Sequence, residues 1–263
     1  MYEQIGNIAL LNVKGKNIKE IKKIAKEILK KNKNIKTVLI KEEKFKGRLR
    51  KAKYKVIEGE KNFETLYREN GCTFKLNLKD VYFSSRLATN RLWVAKKIFD
   101  LIKIKKIKNP KILVCFSGIG IYGIVIAKFL KQNNIDYKIT MVEINKKANK
   151  YALENISLNK LENIKVLQGD VKKILPQLEK FNFIIMPRPK IGYDFFKEAF
   201  INARKGSIIF YFDFINEEEI NNEKIKLEEK SKKLNKKIKI LEIKKAGQIG
   251  VRKWRIVTVF EVK

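Results

Sequence analysis

From residue 111 to residue 213 the chain alternates short apolar segments with longer amphipathic ones, and this rhythm restricts its fold more than any other feature. Strands are expected at residues 112–116, 139–144, 164–168, 183–186 and 207–213, with helical stretches at 121–130, 146–158, 171–178, 193–203 and 217–234. Parallel strands need a crossover between them, and a crossover helix packs back on the sheet. Such alternation therefore implies a mostly parallel sheet covered on both faces. The tail breaks the rhythm: 238–243 and 256–262 read as two strands with no helix between them, so the last strand is expected to pair antiparallel.

The first hundred residues follow a different pattern. They read as a strand at 5–13, a helix at 18–31, a strand at 37–41 and short strands at 54–57, 65–67 and 74–78. A further helix is expected after Thr89 as N-cap, with Leu92, Val94, Ala95, Ile98 and Leu101 on its apolar side. The lysine-rich segment 102–110 ends in Asn-Pro, a boundary signal that divides the chain into residues 1–108 and 109–263. No internal repeat is visible.

Partners and mechanisms are narrowed by composition. Sixty-one Lys and Arg against 28 Asp and Glu leave a formal charge of +33, which favours polyanionic company, although a lysine-rich genome would inflate the same count. There is no histidine, so Ser-His-Asp and Cys-His mechanisms are excluded. The two cysteines, Cys72 and Cys115, lack metal-ligand spacing, so no metal is expected. The uncharged run 112–127 is too short to span a membrane, and its glycines argue for strand, turn and helix. With no leader at the start, a cytoplasmic protein is expected.

The segment CFSGIGIYG, residues 115–123, follows a strand and opens a helix, where a doubly wound sheet holds its ligand. Gly118, Gly120 and Gly123 have the G-x-G-x-x-G spacing of a nucleotide site, though glycines at such a turn also serve geometry alone. Glu143, in MVEIN at the end of the second strand, is placed to accept both hydroxyls of a ribose, which suits NAD and S-adenosylmethionine alike. Asp170, in QGD at the end of the third strand, discriminates between them, because methyltransferases commonly keep an acid there for the adenine amino group; its alternative role is a helix N-cap. Together with the antiparallel tail, these features resemble a class I S-adenosylmethionine-dependent methyltransferase, a Rossmann-like α/β fold of seven strands, preceded here by a small α+β RNA-binding domain. The proline-stiffened MPRPK, residues 186–190, lies at the end of the fourth strand, beside the expected reacting centre.

Several segments in order, GRLRKAKYKVIEGE, YRENGCTFKLNLKDVYFSSRLATNR, CFSGIG, MVEIN, GD, MPRPK and IIFYF, are similar to the archaeal and eukaryal tRNA guanine-37 N1-methyltransferase family and its wyosine-pathway relatives. The resemblance implies methyl transfer from S-adenosylmethionine to guanine 37 of tRNA or to the tricyclic wyosine base built from it. A small amino-terminal module would grip the anticodon stem-loop. Position by position, Arg50 matches an arginine near the target guanine, Arg86 the arginine of the F-S-P-R-L motif and Tyr82 an aromatic beside the methyl donor. Glu143 matches the ribose ligand and Asp170 the adenine ligand. Phe116, Ser117, Gly118, Gly120, Ile144, Asn145, Val171 and Pro187 complete the expected cofactor contacts, while Arg188, Pro189, Lys190 and Tyr193 are expected at the target base or its backbone. The enzyme is expected to act as a monomer.

Three departures stand out. Where the family has a glutamate proposed to take the guanine proton, this chain has Asn90, which is no base but can orient the ring or a water. Pro187-Arg188-Pro189 replaces Asn-Leu-Pro or Asn-Pro-Pro. The family's outer amino-terminal module is not matched, which raises the weight of a wyosine-pathway enzyme, including an aminocarboxypropyl transferase. SSRLATNR nevertheless keeps the methyltransferase pattern. Glu69 and Asp213 are the candidate bases, and a dehydrogenase or a non-catalytic RNA binder stays open as a different class.

Overall fold

In the computed structural model, which describes residues 2–13, 15, 17–42, 52–189 and 192–263, the expected alternation becomes one seven-stranded sheet. Its strands are β7 (Lys111–Cys115), β8 (Lys138–Glu143), β9 (Ile164–Gln168), β10 (Phe183–Met186), β11 (Ile208–Asn216), β12 (Ile238–Gly250) and β13 (Lys253–Val262), in the order β12-β13-β11-β10-β7-β8-β9. All neighbours are parallel except β13, which inserts antiparallel between β11 and β12. Helices α3 (Ile121–Gln132), α4 (Lys146–Leu158), α5 (Val171–Ile174) and α6 (Glu223–Lys233) connect the strands. The apolar run 112–127 is thus β7, a glycine bend and the start of α3. Among the described residues no helix is long and apolar enough to cross a membrane.

Two expected helices change. The stretch 171–178 is α5 followed by a 3-10 turn at Leu175–Gln177, where Pro176 withdraws a backbone donor. Over 193–203 only a 3-10 turn, Glu198–Phe200, forms. There Phe195 adopts a left-handed φ of +56°, and the Asp194 side chain accepts from the Phe196 N–H. This local alternative to helix lets Phe195, Phe196 and Phe200 all enter the core. The stretch expected as a helix over 217–234 begins as a 3-10 turn at Glu217–Asn222 before α6.

The amino-terminal sheet has the order β1 (Tyr2–Ile5), β2 (Ile8–Leu11), β3 (Thr37–Lys41), β4 (Tyr54–Gly59). Over it lies α1 (Ile18–Lys31), which forms over the residues expected because Asn17 and Glu20 cap each other reciprocally. The single strand expected over 5–13 is instead a hairpin. Gly6, at φ +58°, turns the chain, and a Cβ there would fall 2.1 Å from Thr65 Oγ1. Helix α2 (Ala88–Ile104) begins before Thr89, because a 3-10 turn at Ser85–Leu87 leads straight into it, so Thr89 is not its cap.

A hairpin of β5 (Glu64–Glu69) and β6 (Cys72–Asn77) joins the two sheets. Among the described residues the outer edge of β6 has no strand partner. Asn155 and Asn159 of α4 take its place: Asn159 bonds the N–H and C=O of Thr73, and Asn155 those of Lys75, at 2.7–3.1 Å. Four backbone groups that would otherwise need water are satisfied, and the hairpin is locked onto α4. One continuous apolar core, from Ile5 through Phe74 and Ile98 to Val259, runs through both parts.

The three glycines of the bend have three different duties. Gly118, at φ +55°, has open space where a Cβ would stand, and Gly120, at φ +84°, is the N-cap of α3. Gly123 lies inside α3, where a Cβ would meet Met141 Sδ at 2.4 Å. Gly123→Ala is therefore expected to push α3 off β8 and cost about 1–3 kcal/mol of stability in denaturant titration. An unchanged midpoint would show that Met141 can swing aside at no cost.

Candidate active site

The carboxyl ends of β7, β8, β10 and β11 open on one cleft of about 970 Å³, solvent at its mouth included. Its floor is the glycine bend. Phe116, though not glycine, takes a φ of +53° as the chain leaves β7, backbone strain of the kind that collects at ligand sites. Glu143 then ties the bend to the next turn, its Oε2 accepting from the Gly118 N–H at 2.9 Å and its Oε1 from the Asn145 N–H at 2.8 Å. Asn145 in turn donates to the Asp80 carbonyl, and Asn149 to the Glu143 carbonyl.

Burial raises the Glu143 pKa above the ordinary carboxylate value, while the N–H groups of Asn145, Gly118 and Ile144 pull it back. Beside it, Ser117 Oγ is buried with no hydrogen-bond partner among the described residues. An acceptor carboxylate, an orphaned hydroxyl and a glycine with nothing over it together fit a ribose-bearing ligand.

Ten expected residues line this cleft: Tyr82, Phe116, Ser117, Gly118, Glu143, Ile144, Asn145, Pro187, Arg188 and Pro189. Arg50 and Lys190 lie outside the described residues. Six others are placed away from its lining. Arg86 is 78% exposed, 3.6 Å from the Glu3 carboxylate, and borders a separate depression with Tyr2, Leu10 and Lys41. Gly120 packs near Ile124, Met141 and Ala152, and Val171 is buried in the core. Asp170 caps α5 by accepting from the Lys172 N–H, the alternative role considered for it; the Gly169 N–H bonds the Glu143 carbonyl, so the two acids still end adjacent strands. Tyr193 donates to Glu198, carries Lys172 over its ring and stacks edge-on with Phe195, which stacks on Phe116.

Asn90 is buried, accepting from the Tyr122 hydroxyl at 2.9 Å, and its Nδ2 has no partner among the described residues. Burial pushes the Tyr122 pKa up to about 12, so this phenol stays a donor.

Both candidate bases are already engaged. Glu69 is held in two-pronged fashion by Arg91, and Asp213 by Arg188 and by the Phe214 N–H. Each carboxylate is thus already hydrogen-bonded to a guanidinium group of the same cleft. The sequence reading missed Arg91, Tyr122, Phe83 and Arg255, which also line the cleft. Arg91 had a signal, standing next to Asn90 in the SSRLATNR segment. Arg255 had none, since only the strand order carries it to this edge.

A seven-stranded sheet with an antiparallel last strand, a glycine bend, and an acid at the end of the strand beside it define a class I S-adenosylmethionine-dependent methyltransferase. Residues 65–244 match the TRM5/TYW2 methyltransferase domain and residues 1–62 the TYW2 N-terminal domain. The chain is 32% identical to tRNA (guanine(37)-N(1))/4-demethylwyosine(37)-methyltransferase Taw22 of Nanoarchaeum equitans, over 97% of each chain. The crystal structure of Trm5b from Pyrococcus abyssi has a TM-score of 0.81 and 31% identity, covering 100% of this chain and 75% of that one. The complex structure of aTrm5 and tRNALeu has a TM-score of 0.82 and 26% identity, covering 100% of this chain and 72% of that one. The chain belongs to the TRM5/TYW2 methyltransferase family.

Donor binding is expected to depend on pH through Glu143. An ionised carboxylate here can accept from ribose hydroxyls, and its raised pKa means that protonation removes this acceptor at a higher pH than for an exposed glutamate, near 4.3. Affinity for S-adenosylhomocysteine should be flat near neutrality and fall as pH descends through the raised pKa, whereas Glu143→Gln should lack that limb. Calorimetric titrations at falling pH check this; parallel profiles for the two proteins would contradict it.

Proposed function

We propose that this chain transfers the methyl group of S-adenosylmethionine to the base at position 37 of tRNA, at N1 of guanine, at a carbon of the 4-demethylwyosine base, or at both. The observation that carries the reading is the likeness to the Nanoarchaeum relative along 97% of both chains, joined to the Gly118–Glu143 cradle. In this reading residues 1–108 hold the anticodon stem-loop and residues 109–263 hold the donor, and the enzyme acts as a monomer in the cytosol. A charge of +33 supports the RNA partner, since each lysine or arginine set against a phosphate releases counterions.

When bound, the donor supplies an electrophilic methyl group. Glu143 and the Ser117 hydroxyl orient its ribose, and Asp170 the adenine. Pro187-Arg188-Pro189 forms a stiff wall on the side of the target, with Arg188 fixed by Asp213. Positioning of this kind can supply roughly 7–11 kcal/mol of rate enhancement. Asn90 stands behind the cleft and accepts from the hydroxyl of Tyr122, which lines it, so its role is to orient that phenol.

Nucleoside mass spectrometry of tRNA incubated with enzyme and donor tests the reading, with guanine and 4-demethylwyosine at position 37 in separate arms. A gain of one methyl group in either arm is the expected result. A gain of an aminocarboxypropyl group would overturn methyl transfer, and no gain in either arm would leave only an RNA binder.

A further inference from the structure

Among the described residues three guanidinium groups line the cleft, and two of them have carboxylate partners: Arg91 has Glu69, and Arg188 has Asp213. Arg255 has none among the described residues. Its contacts are a long hydrogen bond to the Tyr82 hydroxyl, 3.5 Å, and the face of Phe214, 5.2 Å from the ring centre. Strand geometry explains the difference. Arg255 on β13 lies directly opposite Phe214 on β11, so these two side chains share a face, while Asp213, one residue earlier, belongs to the other. Asp213 therefore serves Arg188 and is withheld from Arg255. Phe214 meanwhile flanks both guanidinium groups, since that of Arg188 lies 5.4 Å from the same ring.

An arginine stays charged and presents a planar fork suited to oxyanions. With no carboxylate beside it among the described residues, Arg255 is set to receive an anion from a ligand. Its place in the sheet indicates which anion. Between β8, which ends in Glu143, and β13 stand β7, β10 and β11, so the two backbones are four strand spacings apart, roughly 19 Å, while both side chains reach into the one cleft. A donor whose ribose is held at Glu143 would have to carry its carboxylate across the three intervening strand ends to meet Arg255, on the far side of the cleft from the ribose site. A nucleotide entering the cleft past the Pro187 wall brings a phosphate to the β13 side.

We propose that Arg255 binds a backbone phosphate at the target nucleotide and so fixes where the RNA strand enters the cleft. This rests on the RNA-methylating reading above.

The test compares the unaltered chain, Arg255→Ala and Arg255→Lys in tRNA binding across a salt series, with S-adenosylhomocysteine titration and thermal unfolding alongside. For Arg255→Ala, tRNA affinity should fall roughly tenfold at low salt, and the slope of log affinity against log salt should shrink by about 0.7, the loss of one phosphate contact on a single strand. Arg255→Lys should keep most of that slope. S-adenosylhomocysteine affinity and the unfolding temperature should stay as they were. Unchanged tRNA affinity would overturn the proposal. A tRNA loss with the slope intact would assign Arg255 to a base edge, and weaker S-adenosylhomocysteine binding with tRNA binding retained would assign it to the donor's carboxylate; either result also overturns it. If the unaltered chain binds no tRNA, the methylation reading falls and takes this proposal with it.

Discussion

Glu143→Ala is expected to weaken S-adenosylhomocysteine binding by at least about a hundredfold. The carboxylate is placed to accept two hydroxyls, and hydrogen bonds to a charged group contribute about 1.5–3 kcal/mol each. Truncation also strips the Gly118 and Asn145 N–H groups of their acceptor, so the glycine bend loses its tie to β8. Glu143→Gln, which keeps the volume and one acceptor, should fall between the two. Isothermal titration gives the constants directly, and an unchanged value for the alanine variant would place the ribose somewhere else.

The largest loss of stability is expected from Arg91→Ala. The side chains of Arg91 and Glu69 are only 2% and 3% exposed, so truncating the arginine leaves a carboxylate buried without its partner. Breaking a buried pair from one side costs about 3–5 kcal/mol, a large share of the stability of a typical domain. Arg91 also donates to the Ser84 carbonyl at 3.1 Å, so the 82–84 wall of the cleft should loosen with it. Replacing both partners with apolar residues should recover much of the loss, because no charge is then stranded. Urea unfolding of the two variants measures this. A cost below about 1 kcal/mol for Arg91→Ala would mean that water reaches Glu69 and compensates it.

What the sequence made legible was local or periodic. The amphipathic spacing over 18–31 places α1, and the strand and helix rhythm after residue 111 yields the sheet. The reading failed where tertiary contacts outweigh local pattern. The apolar run across Gly6 hides a hairpin that the contact with Thr65 requires, and the aromatic cluster at 195–200 is buried by a loop rather than a helix. In the site, the glycine bend and Glu143 were visible because a strand-to-helix turn carries its own signature. The occupied state of Glu69 and Asp213 was not, since their arginines lie 22 and 25 residues away. Arg255 is 173 residues from Tyr82 and reaches the cleft only because β13 inserts next to β11.

The claim on which the rest depends is that the donor lies between the glycine bend and the proline wall. A crystal structure of the protein with S-adenosylhomocysteine tests it most directly. The expected result has the ribose hydroxyls on the Glu143 carboxylate, the adenine toward Asp170 and the sulfur facing Pro187. A ligand bound elsewhere, or a ribose out of reach of Glu143, would contradict it.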